Sequence, residues 1–241
     1  MRPVAFLFDL GSTVFPYRES EARLFLRRFF MGVRKRTWEV ELEAVEDYVD
    51  LYLKLVREYG ERAAVRGYKD EDLPSRLRRF FRSTGIEPED EEIWIEEHRK
   101  AFVRSVEIPP SKIEFLKSLS EKFPLGVVTN YPDEETILTL LKMNSLEEAI
   151  SAVAVSGALG YRKPHRRPFL HALWEMEVKP SREVVMVGDR WLEDVEGARA
   201  TGLTGVLTVE WAEGEKQPPK DPTVPIIYRL EDALRVVRRL K

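Results

Sequence analysis

The feature that most restricts this chain is a change of periodicity at Pro109-Pro110. After that pair, short apolar runs alternate with segments of helical spacing. Residues 112–121, 134–142, 167–176 and 192–201 read as helices, and residues 125–128, 152–155 and 184–187 as strands between them. Residues 205–209 and 226–228 continue as strands, and a closing helix starts at Glu231. Apolar runs of this length, bounded by turn residues, suit strands buried on both faces. Strands that alternate with helices predict an α/β fold, an open parallel sheet with helices on both faces. One more such run, residues 4–8, stands at the start of the chain, ends at Asp9 and is followed by Gly11, Ser12 and Thr13.

The stretch from residue 16 to 108 carries a different signal. Leu42, Val45, Val49, Tyr52, Leu53 and Val56 fall at helical spacing, and so do Leu77, Phe80 and Phe81. Gly60, Gly67, Gly85 and Pro88 interrupt the pattern, which predicts about four helices and no strand. The economical organisation is one α/β core domain of residues 1–15 and 109–241, with residues 16–108 inserted as a helical domain after the first strand. Phe29, Phe30, Trp38, Tyr48, Tyr52, Phe80 and Phe81 are expected to form the insertion's own core. Arg27, Arg28, Arg34, Lys35 and Arg36 read as a solvated helix end. Residues 214–223, rich in Pro and Lys, read as a loop.

Composition narrows the function classes. A formal charge of −3 argues against an electrostatic grip on nucleic acid. The apolar runs are too short to span a bilayer, and the first residues lack a signal peptide's apolar region, so a cytoplasmic protein with no membrane partner is expected. With no cysteine there is no disulfide, thiolate metal site or cysteine nucleophile. The chain has one Gln and two Asn beside 34% charged residues, a bias found in thermophiles. Of the three histidines, His98 lies in a charged stretch and is expected at the surface. His171 is expected packed, and His165 follows Lys163-Pro164.

Open parallel sheets bind ligands beyond the carboxyl ends of their strands. Four expected strand ends carry reactive groups: Asp9; Thr129 with Asn130; Lys163 in Gly160-Tyr161-Arg162-Lys163-Pro164; and Asp189, with Asp194 in the next helical turn. Each has an ordinary reading alone. Asp, Gly and Ser make turns, a loop lysine is commonly solvated, and acids at a helix start are favoured by its dipole. Together they make a set suited to phosphoryl transfer: carboxylates for a hard divalent cation, a nucleophile, and a cation with hydrogen-bond donors for phosphoryl oxygens.

In these four segments the chain resembles the haloacid dehalogenase superfamily. Asp9 with Thr13 matches its first motif, Thr129 the second, Lys163 the third, and Asp189 with Asp194 the fourth. The resemblance implies a Rossmann-like core with an inserted C1-type helical cap, and a Mg2+-dependent phosphatase acting on a small phosphorylated substrate. Asp9 would form an aspartyl-phosphate, and Thr129, Asn130 and Lys163 would hold the phosphoryl group. The metal would be bound by Asp9, the main-chain carbonyl of Gly11, Asp189 and Asp194. One position departs from the pattern. Phosphatases of this kind usually carry a second aspartate, the general acid and base, where this chain has Gly11. General acid–base help is worth about 10²–10⁴-fold, so either the leaving group is good or another residue, such as Ser12, Tyr17, Arg18 or Glu19, supplies the proton. The gap also leaves open a 2-haloacid dehalogenase, a phosphonate hydrolase using a cap lysine such as Lys54 or Lys69, or a regulatory module that binds magnesium and phosphate with little turnover.

Overall fold

The computed structural model describes residues 2–212 and 221–238. Its centre is a six-stranded, all-parallel sheet: β1 (Ala5–Phe8), β2 (Leu125–Thr129), β3 (Ala152–Val155), β4 (Val184–Gly188), β5 (Thr204–Thr208) and β6 (Ile226–Ile227). The spatial order is β3-β2-β1-β4-β5-β6. The chain leaves β1 on one side toward β2 and β3 and returns to its other side at β4, so the switch in strand order falls beside β1. Register aligns Phe8 with Val127 and Val187, which brings the ends of β1, β2 and β4 level.

Both sheet faces are covered, as uniformly apolar strands require. Phe6 and Phe8 point into one large apolar cluster, while Ala5 and Leu7 join Val128, Phe169 and Met186 on the other face. The covering helices are α5 (Pro110–Ser120), α6 (Glu134–Met143), α7 (Ser156–Leu159), α8 (Arg166–Glu175), α9 (Gly197–Ala200) and α10 (Ala233–Arg238). Residues 191–196, expected as the first turns of one helix, form a π-helical turn leading into α9. α6 starts under an Asp133 side chain that accepts from the Thr136 amide, an ordinary N-cap. Lys112 is buried on α5 between Glu210 and Glu231, an ion cluster that the sequence pattern does not announce.

Between β1 and α5 come four helices: α1 (Glu19–Thr37), α2 (Val45–Glu61), α3 (Leu73–Thr84) and α4 (Glu91–Ser105). They pack through Phe29, Phe30, Tyr52, Phe80 and Trp94, whose ring centroids lie 4.7–6.4 Å apart in mostly edge-on or tilted pairs. This packing is continuous with the Phe6–Phe8 side of the sheet. Main-chain bonds also tie the insertion to the core: Asp70 N to Gly160 O (3.0 Å), Arg162 N to Tyr68 O (2.9 Å) and Leu73 N to Pro132 O (3.0 Å). Arg99 on α4 adds a two-pronged pair with Asp133, at 2.9 and 3.0 Å.

Three side chains differ from expectation. His98 is buried, because it shares an α4 stripe with Trp94 and Phe102 despite charged neighbours. Trp38 is 77% exposed: it caps α1 in a left-handed conformation (φ 60°), which turns it off the apolar face and against Arg34. His171 sits half-exposed over Glu175 rather than packed. The loop expected at residues 214–223 lies largely outside the described residues. Among the described residues, no helix is long and apolar enough to cross a membrane.

Candidate active site

Of the seven residues singled out for chemistry, five lie at or just after the ends of β1, β2 and β4, Lys163 lies between α7 and α8, and Asp194 lies in the π-helical turn after β4. Asp9 follows β1 directly, and its amide donates to Val187 O (2.9 Å), fixing it between β1 and β4. Thr129 ends β2 and is buried. Asn130, next in the chain, clamps the backbone of Lys163: its Oδ1 accepts from Lys163 N (2.8 Å) and its Nδ2 donates to Lys163 O (3.3 Å). This pair of hydrogen bonds across the loops fixes where the lysine enters; the Lys163-Pro164 peptide is cis.

Lys163 is buried; its ammonium donates to Asp9 Oδ1 (2.6 Å) and Val128 O (2.7 Å) and forms an ion pair with Asp194 Oδ1 (2.6 Å). Burial alone would lower its pKa, but Asp194 and Asp9 outweigh that and hold it above the ordinary lysine value. Asp194 is fully buried, with its Oδ2 accepting from Arg190 N (2.9 Å) in the π-helical turn. That approach depends on Gly188: a Cβ there would overlap Asp194 Cγ and Oδ2.

Asp9, Asp189 and Asp194 each offer an oxygen within 4.8 Å of the others'. Their charge is undercompensated, since Lys163 is the one cation within their ion-pair distance among the described residues. Burial, then repulsion from Asp9 and Asp194, pushes Asp189 up to about 8. Burial also raises Asp194, to about 7, against the opposing pull of Lys163. A cluster short of positive charge, built from hard carboxylate oxygens, fits a divalent cation such as Mg2+. Thr13, in the first motif, is fully buried, and its hydroxyl meets no hydrogen-bond partner among the described residues.

A cavity of about 350 Å³ opens above this cluster. Its floor holds Asp9, Gly11, Thr129, Asn130 and Asp189, and the inserted helices supply much of its roof. A larger groove of about 850 Å³ runs along β3 and α8 and contains none of these groups.

The position of Gly11 is informative. A Cβ there would touch Tyr17 Cβ at 3.4 Å, so Tyr17 stands beside the space an acidic side chain would enter. Among the candidate proton donors, Ser12 is tied to Tyr17 O (3.0 Å), and Arg18 and Glu19 are exposed and outside the cavity wall. Tyr17 does line the cavity, with its phenol raised above the usual tyrosine range mainly by burial. His165 caps α8 by accepting from Arg167 N and stacks on Tyr161, and it does not line the cavity. The roof also holds groups that sequence reasoning passed over as functional: Arg76, His98 and, on the core side, Tyr131.

Comparison with known proteins decides the family. A model of the family described as "Haloacid dehalogenase-like hydrolase" matches residues 43–208. The chain belongs to the haloacid dehalogenase-like hydrolases. The matched stretch contains Thr129, Lys163, Asp189 and Asp194 and begins after Asp9. The glyceraldehyde 3-phosphate phosphatase of Methanopyrus kandleri is 28% identical over 246 residues, spanning 98% of this chain and 97% of that protein. Among solved structures, the HAD phosphatase of Thermococcus onnurineus superposes with a TM-score of 0.64 at 23% identity, covering 97% of both chains. A 2-haloacid dehalogenase of Pseudomonas syringae pv. tomato gives 0.68 at 22%, covering 98% and 99%. These haloacid dehalogenase-like neighbours share the fold across core and insertion alike.

Proposed function

We propose that this hydrolase is a magnesium-dependent phosphatase that cleaves a small phosphorylated metabolite in the cytoplasm through an aspartyl-phosphate on Asp9. The observation that carries the reading is the cluster of Asp9, Lys163, Asp189 and Asp194, of which Asp9 and Asp189 reach the floor of a cavity roofed by the insertion. The full-length likeness to a protein named as a phosphatase supports it.

In this reading Asp9 attacks phosphorus, an Asp9 O–P bond forms, and the bond from phosphorus to the ester oxygen breaks. Water then attacks phosphorus, and Asp9 departs as a free carboxylate with inorganic phosphate as product. Lys163, 2.6 Å from Asp9, sets a positive charge beside the nucleophile and the incoming dianion. Thr129 and the Asn130 backbone offer donors to the phosphoryl oxygens, and Asn130 also holds Lys163 in place. Mg2+ would be held by Asp9, Asp189, Asp194 and the main-chain carbonyl of Gly11, and would supply positive charge against the phosphoryl oxygens.

With glycine at position 11, the usual carboxylate for protonating the leaving alkoxide is missing there, and of the candidates at positions 12 and 17–19, Tyr17 is the ionisable one that lines the cavity. Residues 16–108 act as the cap that closes the site. A phosphonate hydrolase mechanism finds less support, because Lys54 and Lys69 are exposed and outside the cavity wall. The test is an acid quench during turnover followed by peptide mass spectrometry. A phosphoryl group on the Asp9 peptide, released by hydroxylamine, is expected; an unmodified Asp9 under burst conditions would sink the covalent route.

A further inference from the structure

The cavity has two chemically distinct ends. Its floor is anionic and suited to metal and phosphate. Its far wall is apolar (Phe25, Leu26, Phe102) and carries Arg76 of α3 together with the phenols of Tyr17, Tyr52 and Tyr131; Arg162 and Arg190 also line the cavity. The Arg76 side chain is only 13% exposed, and the three tyrosines and His98 line the same cavity and feel its charge. Its carboxylate partner, Glu71, engages Arg76 through Nε alone (3.2 Å). Both Glu71 oxygens are already taken by Arg79, at 2.5 and 3.2 Å. An arginine held merely for its ion pair would not need to line the cavity. The Tyr131 hydroxyl is buried with no hydrogen-bond partner among the described residues, an arrangement that a bound acceptor would relieve. Tyr52 is already bonded to His98 Nε2 (3.0 Å), and His98 is kept neutral by burial.

We infer that this wall is an anion subsite for a carboxylate, so that the preferred substrate is the phosphate ester of a small hydroxy acid, with Arg76 and Tyr131 donating to the carboxylate. The inference rests on the phosphatase reading above. A planar guanidinium matches a carboxylate in shape as well as charge. A second phosphate would bring more charge than one arginine answers; of the other arginines lining the cavity, Arg162 is engaged with Glu193 (3.4 Å) and lies 4.0 Å from Asp70, and Arg190 pairs with Glu193 (3.6 Å). A cavity of about 350 Å³ has room for both the phosphate and the carboxylate of such an ester.

The experiment compares three-carbon esters that differ at one end: 3-phosphoglycerate, glycerol 3-phosphate and glyceraldehyde 3-phosphate. In the wild type, kcat/KM is expected to be at least about tenfold higher for the acid, the value of a hydrogen bond to a charged group. Arg76→Gln should lower the acid-to-glycerol ratio about tenfold or more, and Arg76→Lys should recover part of it. Tyr131→Phe, which keeps the ring packing, should lower the ratio in the same direction and serves if the arginine variants do not fold. A wild-type ratio near one, a preference for glyceraldehyde 3-phosphate, or a ratio unmoved by the variants would overturn the inference. Calorimetric titration of Asp9→Asn with the same esters and magnesium reads the subsite without turnover. If p-nitrophenyl phosphate is not hydrolysed but the binding preference stands, the phosphatase reading alone has failed. If it is hydrolysed and neither measurement shows a preference, the subsite alone has failed.

Discussion

Replacing Lys163 with Met tests the electrostatic design of the site without needing a substrate. The ammonium sits 2.6 Å from both Asp9 and Asp194 and 2.7 Å from Val128 O, nearly out of solvent. Methionine is close in length but leaves two buried carboxylates facing each other beside Asp189. Breaking a buried pair by removing one partner costs about 3–5 kcal/mol. For a chain of this size each kcal/mol moves Tm by about 2–4 °C, so the metal-free variant should melt about 6–20 °C below wild type at pH 8. The loss should shrink toward pH 5, because the unpaired carboxylates relieve their repulsion by taking up a proton. Magnesium should raise the variant's Tm more than the wild type's, since the cation then supplies the missing charge. Calorimetric melts in chelator and in excess magnesium, at both pH values, measure all three effects. A fall of less than about 2 °C at pH 8, or one equal at both pH values, would refute the claim that Lys163 balances the cluster.

Other consequences are open to direct measurement. Asp189 and Asp194 have folded pKa values, about 8 and about 7, above those of an unfolded aspartate. The metal-free fold therefore binds the extra protons, and its stability should fall as pH rises from about 4 to 8, by at most about 1.4 kcal/mol per pH unit for each group. Magnesium should erase that slope, and a flat profile in chelator would contradict the charge assignment. Gly188→Ala should displace Asp194, whose Cγ the added carbon would overlap, and cost about 1–3 kcal/mol with weakened magnesium binding; unchanged metal affinity by calorimetry would count against a ligand role for Asp194. Arg99→Ala removes the two-pronged bond to Asp133 across the core–insertion boundary. Exchange of the Asp70, Leu73 and Arg162 amides, whose bonds cross that boundary, should then quicken about fivefold, as for the loss of about 1 kcal/mol. Equal protection in both proteins would argue that the Arg99–Asp133 pair does not hold the insertion to the core.

The strands were legible because each is a short, mainly apolar run, and burial on both faces leaves no alternation to confuse with a surface helix. The meeting of the candidate residues was legible for a related reason: a parallel sheet gathers the residues that end its strands along one edge, so Asp9, Thr129 and Asp189 had to meet. The insertion was less readable. His98 looked exposed because charged residues flank it, yet Trp94, His98 and Phe102 fall on one face of α4. Trp38 misled in the opposite sense, since its left-handed cap conformation, not its hydrophobicity, sets its direction. Arg76 gave no signal at all. It lies between Leu73, Leu77 and Phe80 on α3, and only the way α3 docks over the sheet makes it part of a cavity wall. That docking is set by the boundary bonds of residues 70, 73, 99 and 162, which no local pattern encodes.

The most direct test of the central claim is hydrolysis of p-nitrophenyl phosphate by wild type and Asp9→Asn, with magnesium and with chelator, at elevated temperature. The good leaving group bypasses the missing acid at Gly11, so the rate should report on Asp9, Lys163 and the metal alone. Turnover that requires magnesium and disappears in Asp9→Asn is the expected result. Turnover that survives the chelator or the Asp9 substitution, or no turnover in any of the four conditions, would contradict the assignment of Asp9 as the nucleophile of a metal-dependent phosphatase.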